Sequence, residues 1–457
     1  MTTDGKMVPV PGGVTAPSGF LAGAIFAGIK PGNKKKPDVA LVCSDGHSVA
    51  AAVFTNNKIK AAPVRVSLAH LRAGDTRAVV LNSGNANACT GLPGIDHAKR
   101  MARAAAATLG LRERQVLVCS TGRIGMELPI EKIESALAGF QLPTQPEALF
   151  LDDATPASRS RGPMLAPTAA ASKSAAKAIM TSDTFPKEFA VRWRPTSFRN
   201  QTGDGGEASP AEEAGRAART EDTGPELTLG GIAKGAGMIC PNMATMLCVL
   251  TTDARVEKKD LQRSLAVAVE QSFNRITIDG DMSTNDTVIL LANGRAMRGR
   301  PLQPGSPEFE SFQTALNVVT RNLARMIVED GEGVTKFVEV HVSGAATFDD
   351  ARKATEAIAN STLVKCAWNG NDPNWGRIID AVGYSGAQVR EEMIDIYYNG
   401  VIAVKNGVAS QTPAEKLREV VSAPKFTVHV HLHLGDAEYM AYTTDLSTEY
   451  VRLNRGE

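Results

Sequence analysis

The chain has 457 residues, 43 % of them apolar, with 50 Lys and Arg against 49 Asp and Glu. That length suggests two to three domains with ample core, and the even charge balance lacks the basic footprint of a nucleic-acid binder. The N-terminal MTTDGKMVPVPGGVTAPSGF has no signal-peptide core, no run of 18 apolar residues offers a membrane span, and the six cysteines form no C-x-x-C pair or metal-ligand spacing. A cytoplasmic protein with reduced, mostly buried thiols and no nucleic-acid or membrane partner is expected.

Asp38 to Cys43 and Val49 to Thr55 read as short strands, and Arg77 to Leu81 as a third that enters the loop Asn82-Ser83-Gly84-Asn85. Asp96 is suited to N-cap an Ala-rich helix that runs to Leu109 and closes at Gly110. Gln115 to Cys119 forms a strand before Ser120-Thr121-Gly122, and Ser158 to Lys173 reads as a low-complexity surface loop. Between Arg194 and Glu226 there is one Phe and no Val, Ile, Leu or Met. Such a segment cannot bury enough apolar surface to offset its ordering entropy, so disorder is expected over 194–226. Met246 to Leu250, Val288 to Ala292 and Phe337 to Val342 are strand-like. Phe309, Phe312, Leu316, Val319, Leu323 and Ile327 recur at helical spacing, and Asp350 to Ala359 is another short helix. His429, His431 and His433 alternate with apolar residues, which puts three imidazoles on one strand face. H-x-H-x-H can bind a metal, but no further ligand cluster accompanies it, and a half-exposed strand is the simpler account. The mixture is α/β without a regular βαβ rhythm, and periodicity alone leaves its topology open.

The most informative segment is Lys234 to Cys248, KGAGMICPNMATMLC. A Gly-rich approach passes Pro241 and Asn242 to Ala244-Thr245, and a buried strand follows. A Thr hydroxyl there can attack the preceding carbonyl. Cleavage of the Ala244–Thr245 bond would give Thr245 a free α-amine, whose ordinary pKa of roughly 7.7 to 8.0 lets it accept the hydroxyl proton near neutral pH. One residue would then be nucleophile and base; a strand-entry Thr after a Gly/Pro turn is the plain alternative. Acyl transfer also needs donors for the oxyanion, and Thr121-Gly122 offers a hydroxyl next to a glycine amide whose missing side chain would let substrate approach. Lys234 suits an α-carboxylate; Gly230 to Gly237 does not fit a Walker-type phosphate loop. Glu332, in a Gly-Glu-Gly turn, is either a solvated acid or a counter-charge for an ammonium. Asp279, Asp281 and Asp286 suggest a cation site or, more simply, a hydrogen-bonded loop near the cleavage point.

The strings Val80–Gly91 (VLNSGNANACTG), Cys119–Gly125 (CSTGRIG), Asp279–Thr287 (DGDMSTNDT), Glu332–Phe337 (EGVTKF) and Asp372–Arg377 (DPNWGR) accompany that segment. In this order and spacing they closely resemble the ornithine acetyltransferase (glutamate N-acetyltransferase, ArgJ) family, from about Val14 to Asn454. The resemblance implies a four-layer α/β/β/α arrangement of mixed sheets, shared with aminopeptidase relatives. It implies self-cleavage into an α chain of residues 1–244 and a β chain of residues 245–457, intertwined in one globule. By resemblance Thr245 is the nucleophile, Thr121 and Gly122 form the oxyanion hole, and Thr181, Lys234, Glu332 and Asn454 contact substrate. The implied reaction is ping-pong transfer of acetyl from α-N-acetylornithine to glutamate by an α2β2 assembly, with no metal or organic cofactor. Acetyl-CoA is an open alternative donor.

Departures from the family pattern are Arg123 where relatives carry Val, Ser182 for a second Thr after Thr181, the insertion at 194–226, and a near-terminal substrate-contacting Thr without a counterpart after Asn454. Two other readings stand beside this one: an amidase or aminopeptidase of the related fold, and an uncleaved, non-catalytic assembly subunit.

Overall fold

Alternation along the strands sorts their side chains onto two covered faces, and this sorting builds the layers. The computed structural model describes residues 7–30, 32–141, 163–195, 225–240 and 246–455. One six-stranded sheet runs in the order β1 (Val8–Pro9), β7 (Lys187–Trp193), β8 (Leu227–Lys234), β9 (Leu247–Thr252), β10 (Thr287–Ala292), β4 (Val49–Phe54). Its neighbour has four strands, β2 (Phe20–Ile25), β3 (Val39–Ser44), β5 (Ala78–Asn85) and β6 (Val116–Arg123). Along β10, Ile289 and Leu291 point between the two sheets, where they meet Val42, Leu81 and Leu117. Val288 and Leu290 point outward onto helices α5 (Lys258–Glu270) and α6 (Pro307–Glu329). The far face of the four-stranded sheet, with Leu41, Val80 and Val118, is covered by α1 (Ala62–Ala73), α2 (Gly91–Leu109) and α3 (Ile130–Ala138). The result is the expected α/β/β/α stack. Because both sheets are covered on both faces, their strands read as nearly continuous apolar runs, and each buried Leu, Ile or Val contributes roughly 1.5–3 kcal/mol.

A third sheet stands outside the four layers and was not anticipated. Its order is β14 (Val408–Ala409), β13 (Val401–Lys405), β12 (Asp395–Tyr398), β15 (Lys425–His431), β11 (Phe337–Ala345), β16 (Ala437–Thr444). Helices α7 (Phe348–Asn360), α8 (Thr362–Asn369), α9 (Trp375–Tyr384) and α10 (Ala414–Ser422) cover one of its faces. A backbone bridge between Ile276 and Tyr442 joins it to the main stack.

The predicted amphipathic helix is α6, which buries the whole expected stripe from Phe309 to Ile327 and is N-capped by the Ser306 hydroxyl on the Phe309 N–H. Four boundaries differ most from expectation. Strand β5 runs on through Asn82-Ser83-Gly84-Asn85, expected as a loop, because these residues pair with β6. Helix α2 begins at Gly91 with Thr90 at its N-cap, so Asp96 lies inside it rather than capping it; Pro93 is tolerated because first-turn N–H groups have no intrahelical acceptor. Residues 169–173 are not loop but the start of α4 (Ala169–Ala178), an Ala-rich segment capped by the Thr168 side chain on the Ala171 N–H; residues 158–162 lie outside the described residues. Strand β6 continues through Thr121 and Gly122 to Arg123 rather than ending at Cys119.

Strands β7 and β8, which flank the expected insertion, are antiparallel neighbours with Trp193 opposite Leu227. The insertion's residues 196–224, and with them the expectation of disorder, lie outside the described residues. Strands from before and after residue 245 share the six-stranded sheet, since β8 pairs with β9. All six cysteines are free; Cys43, Cys119 and Cys248 are buried, Cys240 is half-buried, and Cys89 and Cys366 are exposed.

Candidate active site

The antiparallel ladder of β8 and β9 sets Lys234 opposite Leu247, so the residues on either side of the cleavage candidate start from paired strand ends in the middle of the six-stranded sheet. Ala244 and Thr245 lie outside the described residues. Both flanks of that gap are held by carboxylates of the 279–286 loop. Asp279 accepts the N–H groups of Met238 at 2.6 Å and Ile239 at 2.9 Å. Asp286 accepts the N–H of Met246 at 3.1 Å through Oδ1, while its Oδ2 is buried with no hydrogen-bond partner among the described residues. Burial raises the Asp286 carboxyl well above the usual carboxylate range, against the Met246 N–H and Lys234. Of the two readings of this Asp-rich string, the hydrogen-bonded loop is what the geometry shows.

The same loop reaches the other sheet. The Asn285 side-chain amide donates to the carbonyls of Ala86 at 2.7 Å and Ser120 at 2.9 Å. Thr121, the next residue, is 4 % exposed, and Gly122 is at the surface. Glycine at 122 also has a packing reason. A Cβ there would lie 2.4 Å from the Asn85 nitrogen and the Gly84 carbonyl carbon, and φ is +134°. The missing side chain therefore admits the adjacent strand β5, in a conformation that favours glycine.

The remaining candidates gather on the other side of Lys234. Lys234 is 3 % exposed at the end of β8, and burial pushes its ammonium below the usual value against Asp183, Asp286 and Glu332. Glu332 donates its N–H to the Ala236 carbonyl at 2.8 Å, and its carboxylate lies so close to Gly237 that a Cβ there would come within 2.7 Å. Asn454, the last residue of α11 (Thr448–Asn454), donates its side-chain amide to Glu332 Oε2 at 2.8 Å. Thr181 joins through Asp183, whose Oδ2 accepts the Thr181 N–H at 2.9 Å and whose Oδ1 accepts the Gly235 N–H at 2.8 Å. Glu332 meets the 235–237 turn directly, Asn454 reaches it through Glu332 and Thr181 through Asp183, while Asn285 and Asp286 join the Met246 N–H to the Ser120 carbonyl, next to Thr121.

A buried ion cluster that the sequence did not reveal supports this arrangement. Lys187 Nζ lies 2.6 Å from Asp183 Oδ1 and 2.5 Å from Asp330 Oδ2, all three side chains being at most 2 % exposed. Asp330 also accepts the Thr184 N–H and hydroxyl. Although burial acts to raise it, the Asp183 carboxyl is held down to about 2 by Lys234, Lys187 and the Gly235 N–H. The only sequence signal was the i, i+4 spacing of Asp183 and Lys187; Asp330 is 143 residues further on.

The histidines form no such centre. His429 and His431 lie in β15 with His341 stacked on His429 at 4.8 Å, whereas His433 lies past the strand end and reaches Asp395 at 3.1 Å. Among the described residues no group of three or more His, Cys, Asp or Glu is arranged to hold a metal ion, and no helix is long and apolar enough to cross a membrane.

Residues 21–202 and 212–456 match the model of the ArgJ family. The arginine biosynthesis bifunctional protein ArgJ of Geobacter sulfurreducens is 44 % identical over 443 residues, covering 95 % of this chain and 98 % of that protein. The glutamate N-acetyltransferase of Methanocaldococcus jannaschii is 41 % identical over 456 residues, covering 97 % and 98 %. Among solved structures, the ornithine acetyltransferase of Mycobacterium tuberculosis complexed with ornithine is 33 % identical, covering 52 % of this chain and 98 % of that one, with a TM-score of 0.37.

Proposed function

The chain belongs to the ArgJ family, and from that premise we propose that it is a self-processing acetyltransferase of arginine biosynthesis that moves an acetyl group from α-N-acetylornithine to glutamate. The observation that carries the reading is the Asn285–Asp286 pair, which ties the strand end bearing Thr121 to the N–H of Met246, the residue after Thr245.

In processing, the Thr245 hydroxyl attacks the Ala244 carbonyl, the acyl group shifts from nitrogen to oxygen, and water hydrolyses the ester. The products are residues 1–244 and 245–457, which the β8–β9 ladder would keep in one sheet. In the first half-reaction Thr245 Oγ attacks the acetyl carbonyl of acetylornithine and its proton passes to the Thr245 α-amine. The Thr121 hydroxyl and Gly122 amide stabilise the oxyanion, a contribution worth on the order of 10²–10³ in rate per donor. The C–N bond breaks, the leaving ornithine nitrogen takes the proton from the Thr245 ammonium, and an acetyl-Thr245 ester remains. The glutamate amine then attacks that ester by the reverse path. Lys234 and Thr181 would orient the α-carboxylate shared by both substrates, and Glu332, fixed by Asn454, would face the δ-ammonium of ornithine. These steps need no metal or organic cofactor, and acetyl-CoA could charge the same Thr245. The reading includes an α2β2 assembly in the cytoplasm.

Intact mass under denaturing conditions, before and after adding acetylornithine, tests it. The expected result is two chains split at Ala244–Thr245, the C-terminal one gaining a single acetyl group. An uncut chain without an acetyl adduct would favour the non-catalytic alternative, and free acetate released without glutamate would favour an amidase.

A further inference from the structure

Two buried cations, Lys187 and Lys234, face two buried carboxylates, Asp183 and Asp330, around the turn that follows β8. Their chain positions explain the closeness. Lys187 opens β7 opposite Ala233, so it lies beside Lys234 on the neighbouring strand. Asp183 comes from the loop before β7. Asp330 is the C-cap residue of α6, where the helix dipole disfavours an anion and a cationic partner is needed. Lys187 donates to both carboxylates. Lys234 has a different environment: the charges facing it are Asp183, Lys187, Asp286 and Glu332, drawn from three separate segments.

A buried lysine with no compensating anion loses its proton, because burial penalises the charged form. Burial alone would therefore turn Lys234 into a neutral amine unable to pair with a carboxylate. Asp183 is the strongest opposing influence. Among the described residues it makes no ion pair with Lys234; its Oδ1 accepts from Lys187 at 2.6 Å and the Gly235 N–H at 2.8 Å, and its Oδ2 from the Thr181 N–H. We infer that Asp183, clamped by Lys187, is a positioning residue that keeps Lys234 cationic and in register with Thr181, ready for the α-carboxylate of both acyl donor and acceptor. Lys187 in turn bridges both carboxylates and offsets one of their two negative charges, and among the described residues Lys234 makes no ion pair that would keep it from a ligand. The groups facing Lys234 and Asp183 are Lys187 on β7, Asp330 at the end of α6, Glu332 after it, Asp286 before β10, and Lys36, which donates to the Met180 carbonyl at 3.3 Å.

This inference rests on the acetyl-transfer reading and is tested by the pH dependence of KM for acetylornithine. In Asp183→Asn the amide keeps an acceptor for the Gly235 N–H but removes the charge, so Lys234 deprotonates at lower pH and binding is lost as pH rises. KM should already be raised at pH 7 by a pH-independent factor, because only one of the Gly235 and Thr181 N–H groups keeps its acceptor, and rise at least a further tenfold by about pH 9, with kcat changed only a few-fold. The wild-type KM should remain flat over that range. Asp183→Glu restores the charge on a longer stem and should restore a flat profile, even if KM is uniformly higher. A KM increase equal at all pH values in Asp183→Asn would show a purely structural role and overturn the inference. So would a wild-type KM that already climbs from about pH 8, a result that stands even if the Asn variant fails to fold. Absence of any acetyl transfer in wild type would instead sink the function proposed above, and binding of acetylornithine measured calorimetrically over the same pH range would then decide the Asp183 question by itself.

Discussion

Asp286 accepts the backbone N–H of Met246 at 3.1 Å, one peptide bond downstream of Thr245. The next residue back, Asn285, binds the Ser120 carbonyl at 2.9 Å. Two adjacent side chains therefore join Met246, which leads into β9, to Ser120, which precedes Thr121 on β6, across strands of different sheets.

Removing the Met246 contact should slow processing. In Asp286→Ala the Met246 N–H loses its acceptor, at a cost of about 1–3 kcal/mol for a buried donor, and the segment entering β9 is no longer fixed. Cleavage at Ala244–Thr245 is expected to slow at least tenfold, followed by mass spectrometry of freshly translated chain. Asp286→Asn retains an acceptor and should cleave closer to the wild-type rate. Equal rates in Asp286→Ala and wild type would remove Asp286 from the processing machinery.

Thr121 and Gly122 should separate in their consequences. Thr121→Val removes a hydroxyl without adding bulk, so kcat is expected to fall on the order of 10²–10³-fold with little change in melting temperature. Gly122→Ala drives a Cβ to within 2.4 Å of the β5 backbone at a φ of +134°. It should lower both activity and stability, with backbone strain alone costing on the order of 1–3 kcal/mol. A Gly122→Ala protein that melts like wild type would contradict the close approach of Gly84 and Asn85.

How much of this was legible in the chain depended on the range of the interaction. Helix α6 could be read because its core face repeats within one segment, from Phe309 to Ile327. Strands β3 and β10 could be read because burial on both faces leaves unbroken apolar runs. The start of α2 could not, because Gly91 and Pro93 look like a turn until one notes that first-turn N–H groups need no intrahelical partner. Thr121, Lys234, Glu332 and Asn454 were identified through family resemblance, which carries chemistry that periodicity does not. Lys187 escaped because it sits in KEFAVRW, an ordinary strand sequence, and its second carboxylate lies 143 residues away. The third sheet escaped because its strand order, with β15 between β12 and β11, is set by packing on α7 and α8 rather than by local pattern.

Asn454 holds Glu332 at an exposed position, so its contribution should be moderate and selective. Asn454→Ala is expected to raise KM for acetylornithine by about three- to tenfold, the order of one hydrogen bond to a charged group. KM for glutamate, which lacks the δ-ammonium, should change less. Equal effects on the two substrates would argue that Asn454 supports the site as a whole rather than the Glu332 carboxylate.

Lys365 gives the fold a pH dependence of its own. Its ammonium is buried beneath β16, donating to the Thr443 hydroxyl at 3.0 Å and to the Thr444 hydroxyl at 3.1 Å and carbonyl at 2.5 Å. Burial lowers its pKa to about 7, against Asp445 and Asp279. Because the folded value lies below the unfolded one, the unfolded chain binds more protons between about pH 7 and pH 10.4, and stability rises with pH across that window by at most about 1.4 kcal/mol per unit from this group. Below about pH 7 both states are protonated and the dependence ends. In Lys365→Met this rise should vanish, so the difference between variant and wild-type unfolding free energies, measured by urea titration at about pH 7.5 and about pH 9, should move in the variant's disfavour at the higher pH. The consequence reaches the site because Thr444 leads into Asp445, which accepts the N–H groups of Thr335 and Lys336 at 2.9 Å each and so fixes the loop bearing Glu332. A pH-independent difference would mean that Lys365 titrates near its ordinary value and that the loop is held by Asp445 alone.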